Sequence, residues 1–156
     1  MKHELDRGAA LSWVYPTNLP LRTYQFEIVR KSLFQNALVA LPTGLGKTFI
    51  AGCVMLNYAR WYPTAKIFFL APTKPLVDQQ AKAFPETCGY LNSKIAVLNG
   101  STSAEARAEI YPRKQVFFMT AQTLQNDIAN GAFDPRDAVL LVVGACTRPP
   151  VGAGVT

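Results

Sequence analysis

The sequence predicts an α/β domain: a parallel sheet with helices on both faces. Three observations predict it. Short apolar runs recur at 37–41 (ALVAL), 66–71 (KIFFLA), 94–98 (KIAVL), 115–119 (QVFFM) and 138–143 (AVLLVV). Near-continuous apolar strands of this kind are buried on both faces. Stretches with helical spacing alternate with them. The polar and Gly-rich turns follow the strands, at the carboxyl edge where such sheets bind ligands.

The elements follow in chain order. Residues 22–35 read as a helix, because Tyr24 and Ile28 lie four apart, as do Val29 and Leu33. The run 37–41 is a short buried strand stopped by Pro42. Residues 46–61 form the next helix, with Ile50, Val54 and Tyr58 on one stripe. After the strand 66–71, residues 76–84 are helical, with Val77, Ala81 and Phe84 on one face and Pro85 as the stop. After the strand 94–98, Thr102 and Glu105 form a capping box for a helix to Tyr111. After the strand 115–119, Thr120 caps a helix carrying Leu124 and Ile128, closed by Gly131. The run 138–143 is the fifth strand.

Composition bounds the rest. The 156 residues amount to about one domain. With 49% apolar and 17% charged residues, the chain can bury a core. No apolar run reaches the roughly 18 residues that span a bilayer, so no membrane partner is expected. The start, MKHELDRGAA, has acids and no apolar segment, unlike a secretory signal. Three cysteines at long spacings, Cys53, Cys88 and Cys146, exclude a disulfide framework and a Cys-only zinc site. The net charge of +6 points toward a polyanionic partner.

The sharpest motif is LPTGLGKT at 41–48, between an expected strand and an expected helix. Gly44 and Gly46 allow a tight turn and close backbone approach to phosphate oxygens. The N–H groups of Thr43, Gly44, Leu45 and Gly46 and the positive helix end then cradle phosphates, with Pro42, which has no N–H, shaping the turn. Lys47 would reach the β- and γ-phosphates, and the Thr48 hydroxyl would ligate Mg²⁺. The strict pattern has Gly at position 41, where this chain has Leu. The implied cofactors are a nucleotide and Mg²⁺. A small nucleotide kinase would share this loop, but residues 49–143 lack its cluster of substrate-phosphate arginines.

Three polar turns follow other strands: Thr73 and Lys74, Asn99 and Gly100, and Thr120-Ala121-Gln122. They fit two readings. One is ordinary strand-to-helix turns with Lys74 a solvated charge. The other is an edge that tracks a nucleic-acid backbone without reading bases.

Taken together, these segments resemble the superfamily 2 helicases of the DEAD/DEAH type, and more narrowly the Fanconi anaemia group M helicases and their archaeal Hef relatives. YPTNLPLRTYQFEIVRKSLFQNALVALPTGLGKTFIAGCVMLNYARWYP, IFFLAPTKPLVDQQ, VFFMTAQTLQNDI and AVLLVV carry the resemblance over residues 13–143. It implies a RecA-like P-loop domain, ATP with Mg²⁺, and DNA, branched or forked, as the partner. It also implies nuclear localisation and a role in DNA repair. Arg22, Tyr24 and Gln25 match the family's adenine-side motif, with Gln25 on the adenine edge. Residues 42–48 match motif I. Thr73 and Lys74 match motif Ia on the DNA side. Asn99 and Gly100 fall where the family has Thr-Gly. Thr120, Ala121 and Gln122 fall on Thr-Pro-Gln, which puts Gly100, Thr120 and Gln122 on the DNA side.

The resemblance stops inside a motif. After AVLLVV the family carries Asp-Glu-Ala-His, which orients Mg²⁺ and the attacking water. This chain reads Gly144-Ala145-Cys146-Thr147-Arg148 and then PPVGAGVT, with no carboxylate after Asp137. No catalytic residue is therefore assigned. The expected organisation is an N-terminal extension (1–20), a partial first RecA-like domain (21–143) and a Gly/Pro-rich tail (144–156), truncated before motif III. A truncated gene product and a diverged pseudo-enzyme both fit that tail. The second RecA-like domain of the intact family is the missing partner. The resemblance also implies a strand after motif II, inserted beside the motif I strand. Without it, two open strand edges and an aggregation-prone domain are expected.

Overall fold

Strand β1 (Lys66–Leu70) sends successive side chains to opposite sides of the sheet, and both sides are covered. Ile67 and Phe69 join Met55, Ala59, Val77 and Phe84 on one side. Phe68 and Leu70 join Tyr111, Phe117, Leu124 and Phe133 on the other. Each buried Phe removes enough apolar surface from water to stabilise the fold by about 2–3 kcal/mol. The computed structural model describes residues 3–144. Apart from Gly144, the Gly/Pro-rich tail expected at 144–156 lies outside the described residues.

Strands β2 (Ile95–Val97), β3 (Val116–Met119) and β4 (Ala138–Val143) complete a four-stranded sheet in the order β2-β3-β1-β4. Every pairing is parallel. Phe68 sits opposite Phe117 and Phe69 opposite Phe118, with ring centroids 5.3 and 5.5 Å apart. Helices α1 (Thr23–Phe34), α2 (Lys47–Trp61), α3 (Lys74–Cys88), α4 (Ala104–Ile110) and α5 (Ala121–Ala129) lie between and around the strands. The α/β class and the parallel sheet with helices are as the sequence predicts; both faces are covered at β1 and β3, while Leu141 and Val143 of β4 are exposed.

Three local expectations are corrected. Residues 37–41 join no strand of the described sheet, which has four strands and not five. They keep a strand-like alternation: Val39 and Leu41 pack against the α1–α2 cluster, while Leu38 is 97% exposed. A strand needs a ladder partner, and among the described residues none pairs with this segment. The outer edge of β4 is likewise open. Pro85 does not stop α3, which runs on to Cys88 and ends at Gly89 with φ +65°. Burial of Phe84 and packing of Cys88 one turn later offset the hydrogen bond lost at Pro85. The cap of α4 is Ser103, whose hydroxyl accepts from the Ala106 amide, and not Thr102. Thr102 is drawn away because its carbonyl accepts from the Arg107 guanidinium.

The N-terminal segment is tied to α2. The Asn57 amide bonds both backbone groups of Val14, accepting from its N–H at 2.7 Å and donating to its carbonyl at 2.8 Å. The Trp61 indole donates to the carbonyls of Ala9 and Ser12. Trp13 and Tyr15 pack against the α1–α2 cluster. α2 is thereby fixed from three sides: by this segment, by α1 and by the sheet.

Candidate functional site

Fixing α2 fixes its N-terminus, where the loop 41–48 turns. Gly44 and Gly46 hold φ of +83° and +85°, the left-handed region that L side chains avoid. Gly46 is the N-cap residue of α2, and no side chain caps this end. No acidic residue occupies the first turn. A 15-residue helix thus presents an uncapped positive end to an exposed loop, Pro42, Thr43 and Gly44 being exposed. Lys47 and Thr48 begin the helix, both partly buried. The Lys47 ammonium donates to the Leu41 carbonyl at 2.6 Å, so the cation is held over the loop.

Arg22, Tyr24 and Gln25, expected on the adenine side, lie at the start of α1 against the same loop. Gln25 is buried, and its Nε2 donates to the Leu45 carbonyl at 3.1 Å. The Tyr24 hydroxyl donates to the same carbonyl at 2.9 Å and accepts from Arg22 at 3.2 Å. A Cβ on Gly46 would come within 2.0 Å of Gln25 Nε2, so a side chain there would displace the Gln25 amide as well as strain the backbone φ. Arg22, Gln25 and residues 42–48 are therefore brought together. The donor set suits a polyphosphate: an ammonium, an uncapped helix end and a glycine turn, with the Thr48 hydroxyl in the first turn of α2. The Thr48 hydroxyl is the side-chain oxygen expected to face Mg²⁺. Among the described residues no three His, Cys, Asp or Glu side chains cluster for a metal.

A second group lies at the carboxyl ends of β1, β2 and β3. A small cleft there is lined by Lys74, Asp78, Asn99, Thr120 and Thr123, with Val77, Val97 and Leu98 as its floor. Thr73 is the N-cap residue of α3 and is exposed. Thr120 caps α5 through the Thr123 amide, and the two hydroxyls are 3.0 Å apart. Gly100 is exposed with open space around it. Gln122 lies outside the cleft, its amide donating to Asn126 on the exposed face of α5. Lys74, Asn99 and Thr120 are thus convergent, Thr73 and Gly100 border them, and Gln122 points along the helix.

Sequence reasoning missed the charged network behind this cleft. Arg107 and Asp127 are 5% and 0% exposed, and Arg107 Nε lies 2.8 and 2.9 Å from the two carboxylate oxygens. The Tyr111 hydroxyl donates to Asp127 at 2.6 Å. Burial, and then that hydrogen bond, push the Tyr111 phenol well above its usual range. Asp127 in turn holds the Arg107 guanidinium in its charged form. Spacing carried a signal: Arg107 and Tyr111 lie four apart, and Asp127 follows the inward-facing Leu124 by three.

A parallel sheet, a glycine turn opening a helix, and polar turns on the same sheet define a P-loop nucleotide-binding domain of the RecA-like kind. Residues 18–143 match the model of a family described as "Type III restriction enzyme, res subunit", and the chain belongs to that family. The chain is 51% identical over 148 residues to the ATP-dependent DNA helicase fml1 of Schizosaccharomyces pombe, covering 95% of this chain and 18% of that protein. It is 52% identical over 147 residues to the ATP-dependent DNA helicase mph1 of Neurospora crassa, covering 94% of this chain and 13% of that one. The crystal structure of the Pyrococcus furiosus Hef helicase domain superposes with a TM-score of 0.71 at 34% identity, over 89% of this chain and 27% of that chain. The resemblance to helicases of the Fanconi anaemia group M type is borne out. The chain spans less than a fifth of the length of these two curated relatives.

Proposed function

We propose that the chain is the ATP-binding part of the first motor domain of a DNA helicase or translocase of the Fanconi anaemia group M type. Its place is in DNA repair in the nucleus, on branched or forked DNA. The observation that carries the reading is the loop 41–48: two left-handed glycines, Lys47 and an uncapped helix end, gripped from α1 by Tyr24 and Gln25. ATP with Mg²⁺ supplies the reactive phosphoanhydride when bound. Lys47 would leave the Leu41 carbonyl for the phosphates, and Thr48 would give the metal a hydroxyl. Gln25 and Arg22 would hold the base side. Thr73, Lys74, Gly100 and Thr120 would hold a DNA backbone, with Gln122 at the rim.

The sequence favours a second, narrower reading of what the isolated chain does. Residues 138–156 contain no Asp or Glu, so no carboxylate follows β4 to position water. The chain by itself is then a non-hydrolysing ATP- and DNA-binding unit. Positioning and electrostatics supply nearly all of phosphoryl-transfer catalysis. The test is phosphate release with and without forked DNA, using Lys47→Ala as control. The expected result is DNA binding that weakens with salt and no Lys47-dependent turnover. Lys47-dependent turnover would overturn the non-hydrolysing reading, and absence of DNA binding would overturn the helicase assignment.

A further inference from the structure

The turn 99–102 is held in place from behind by a single buried guanidinium. Arg107 Nη1 donates to the Asn99 carbonyl at 3.2 Å and also to the Thr102 carbonyl, the two ends of the turn. The other side of the guanidinium is fixed on Asp127 of α5, and Tyr111 satisfies the second carboxylate oxygen. α5 is the helix that Thr120 caps. One planar side chain therefore sets the position of the β2 turn relative to the β3 turn. Those two turns, with Lys74, line the cleft. Ser101, between the held carbonyls, donates its amide to the Asn99 side chain at 3.0 Å, so the turn is shaped from within as well.

We infer that Arg107 is a positioning residue for nucleic-acid binding: through Asp127 it locks the Asn99–Gly100 turn against the Thr120 turn so that both meet one DNA backbone. This rests on the DNA-side reading above. Arg107 is buried and neutralised, so it is not itself a phosphate contact. Its planar fork matters, because five fixed donors serve a carboxylate and two carbonyls at once, which a lysine ammonium does not do. Removing one partner of the pair alone would leave a buried charge and unfold the domain. A stability loss would therefore say nothing about positioning.

The test compares three forms of the 156-residue chain at nanomolar concentration, by fluorescence anisotropy with a labelled forked oligonucleotide and by thermal unfolding. Arg107→Lys keeps the ion pair and gives up the fork. The double variant Arg107→Met with Asp127→Leu replaces the pair by apolar groups of similar size, a change that is often neutral for stability. Each is expected to unfold cooperatively at a lowered midpoint, because the Asn99 and Thr102 carbonyls, and in the double variant the Tyr111 hydroxyl, lose a partner. Each is also expected to keep its nucleotide affinity, read with a fluorescent ATP analogue, while its DNA affinity falls about fivefold or more. Parental DNA affinity in either folded variant overturns the positioning role and leaves the DNA-side reading intact. If the double variant fails to fold, Arg107→Lys alone decides. If the parent chain itself shows no salt-sensitive DNA binding, the DNA-side reading falls and this inference with it.

Discussion

Gln25 Nε2 donates to the Leu45 carbonyl and stands where the side chain of any residue but glycine at position 46 would have to go. Helix α1 and the glycine loop 41–48 are thus in direct contact. Gly44 has nearly the same φ but open space around it. Gly44→Ala is expected to destabilise by about 1–2 kcal/mol, the conformational penalty alone. Gly46→Ala should lose about 1 kcal/mol more, because Gln25 must give up its hydrogen bond. Thermal unfolding of the pair measures the difference, and equal losses would count against the contact.

Tyr24 holds the same carbonyl through its hydroxyl. Tyr24→Phe keeps the ring and removes the bond to Leu45 and the acceptor for Arg22. Binding of an ATP analogue is expected to weaken about threefold, the usual weight of one neutral hydrogen bond. A titration showing no change would mean that Gln25 alone sets the loop.

The tyrosines make stability fall at alkaline pH. Burial pushes the Tyr90 phenol up from 10.0 to about 12 in the folded chain. A group whose folded pKa is raised contributes stability that is whole below pH 10 and is lost as pH rises toward 12. Tyr90 also donates to Gln115 at 2.5 Å, so ionisation removes a donor from the interior. Tyr90→Phe should be somewhat less stable than the parent at neutral pH and lose less between pH 10 and 12. Urea midpoints across that window give the comparison.

Among the described residues one edge of β4 is unpaired, and β4 carries Leu141, 53% exposed, and Val143, 68% exposed. Unpaired apolar edges template association. The 156-residue chain is expected to self-associate with rising concentration, and Leu141→Lys to reduce this without lowering the unfolding midpoint. Sedimentation at several concentrations tests it, and a monodisperse parent would contradict it.

The sequence was most legible where local and tertiary signals agree. The run 138–143 is a strand with the expected bounds because it pairs with β1, although Leu141 and Val143 on it are exposed. The loop 41–48 was legible because glycine, lysine and threonine at that spacing fit few purposes other than phosphate. Residues 37–41 read as a strand from their side chains alone, yet a strand is defined by its partner, which periodicity does not report. Pro85 read as a stop because its local penalty is visible, while the burial of Phe84 that offsets it is not. Thr102 and Ser103 are equivalent as caps until Arg107 takes the Thr102 carbonyl from twenty residues away from its own anchor, Asp127. Long-range polar pairing of that kind leaves only a faint mark on sequence spacing.

The loop closed by Lys47 is where this chain is expected to bind ATP. The most direct test is equilibrium titration of a fluorescent non-hydrolysable ATP analogue with Mg²⁺ into the chain and into Lys47→Ala. The expected result is saturable binding by the parent and a loss of about tenfold or more in the variant. Equal binding by the two, or none by the parent, would contradict it.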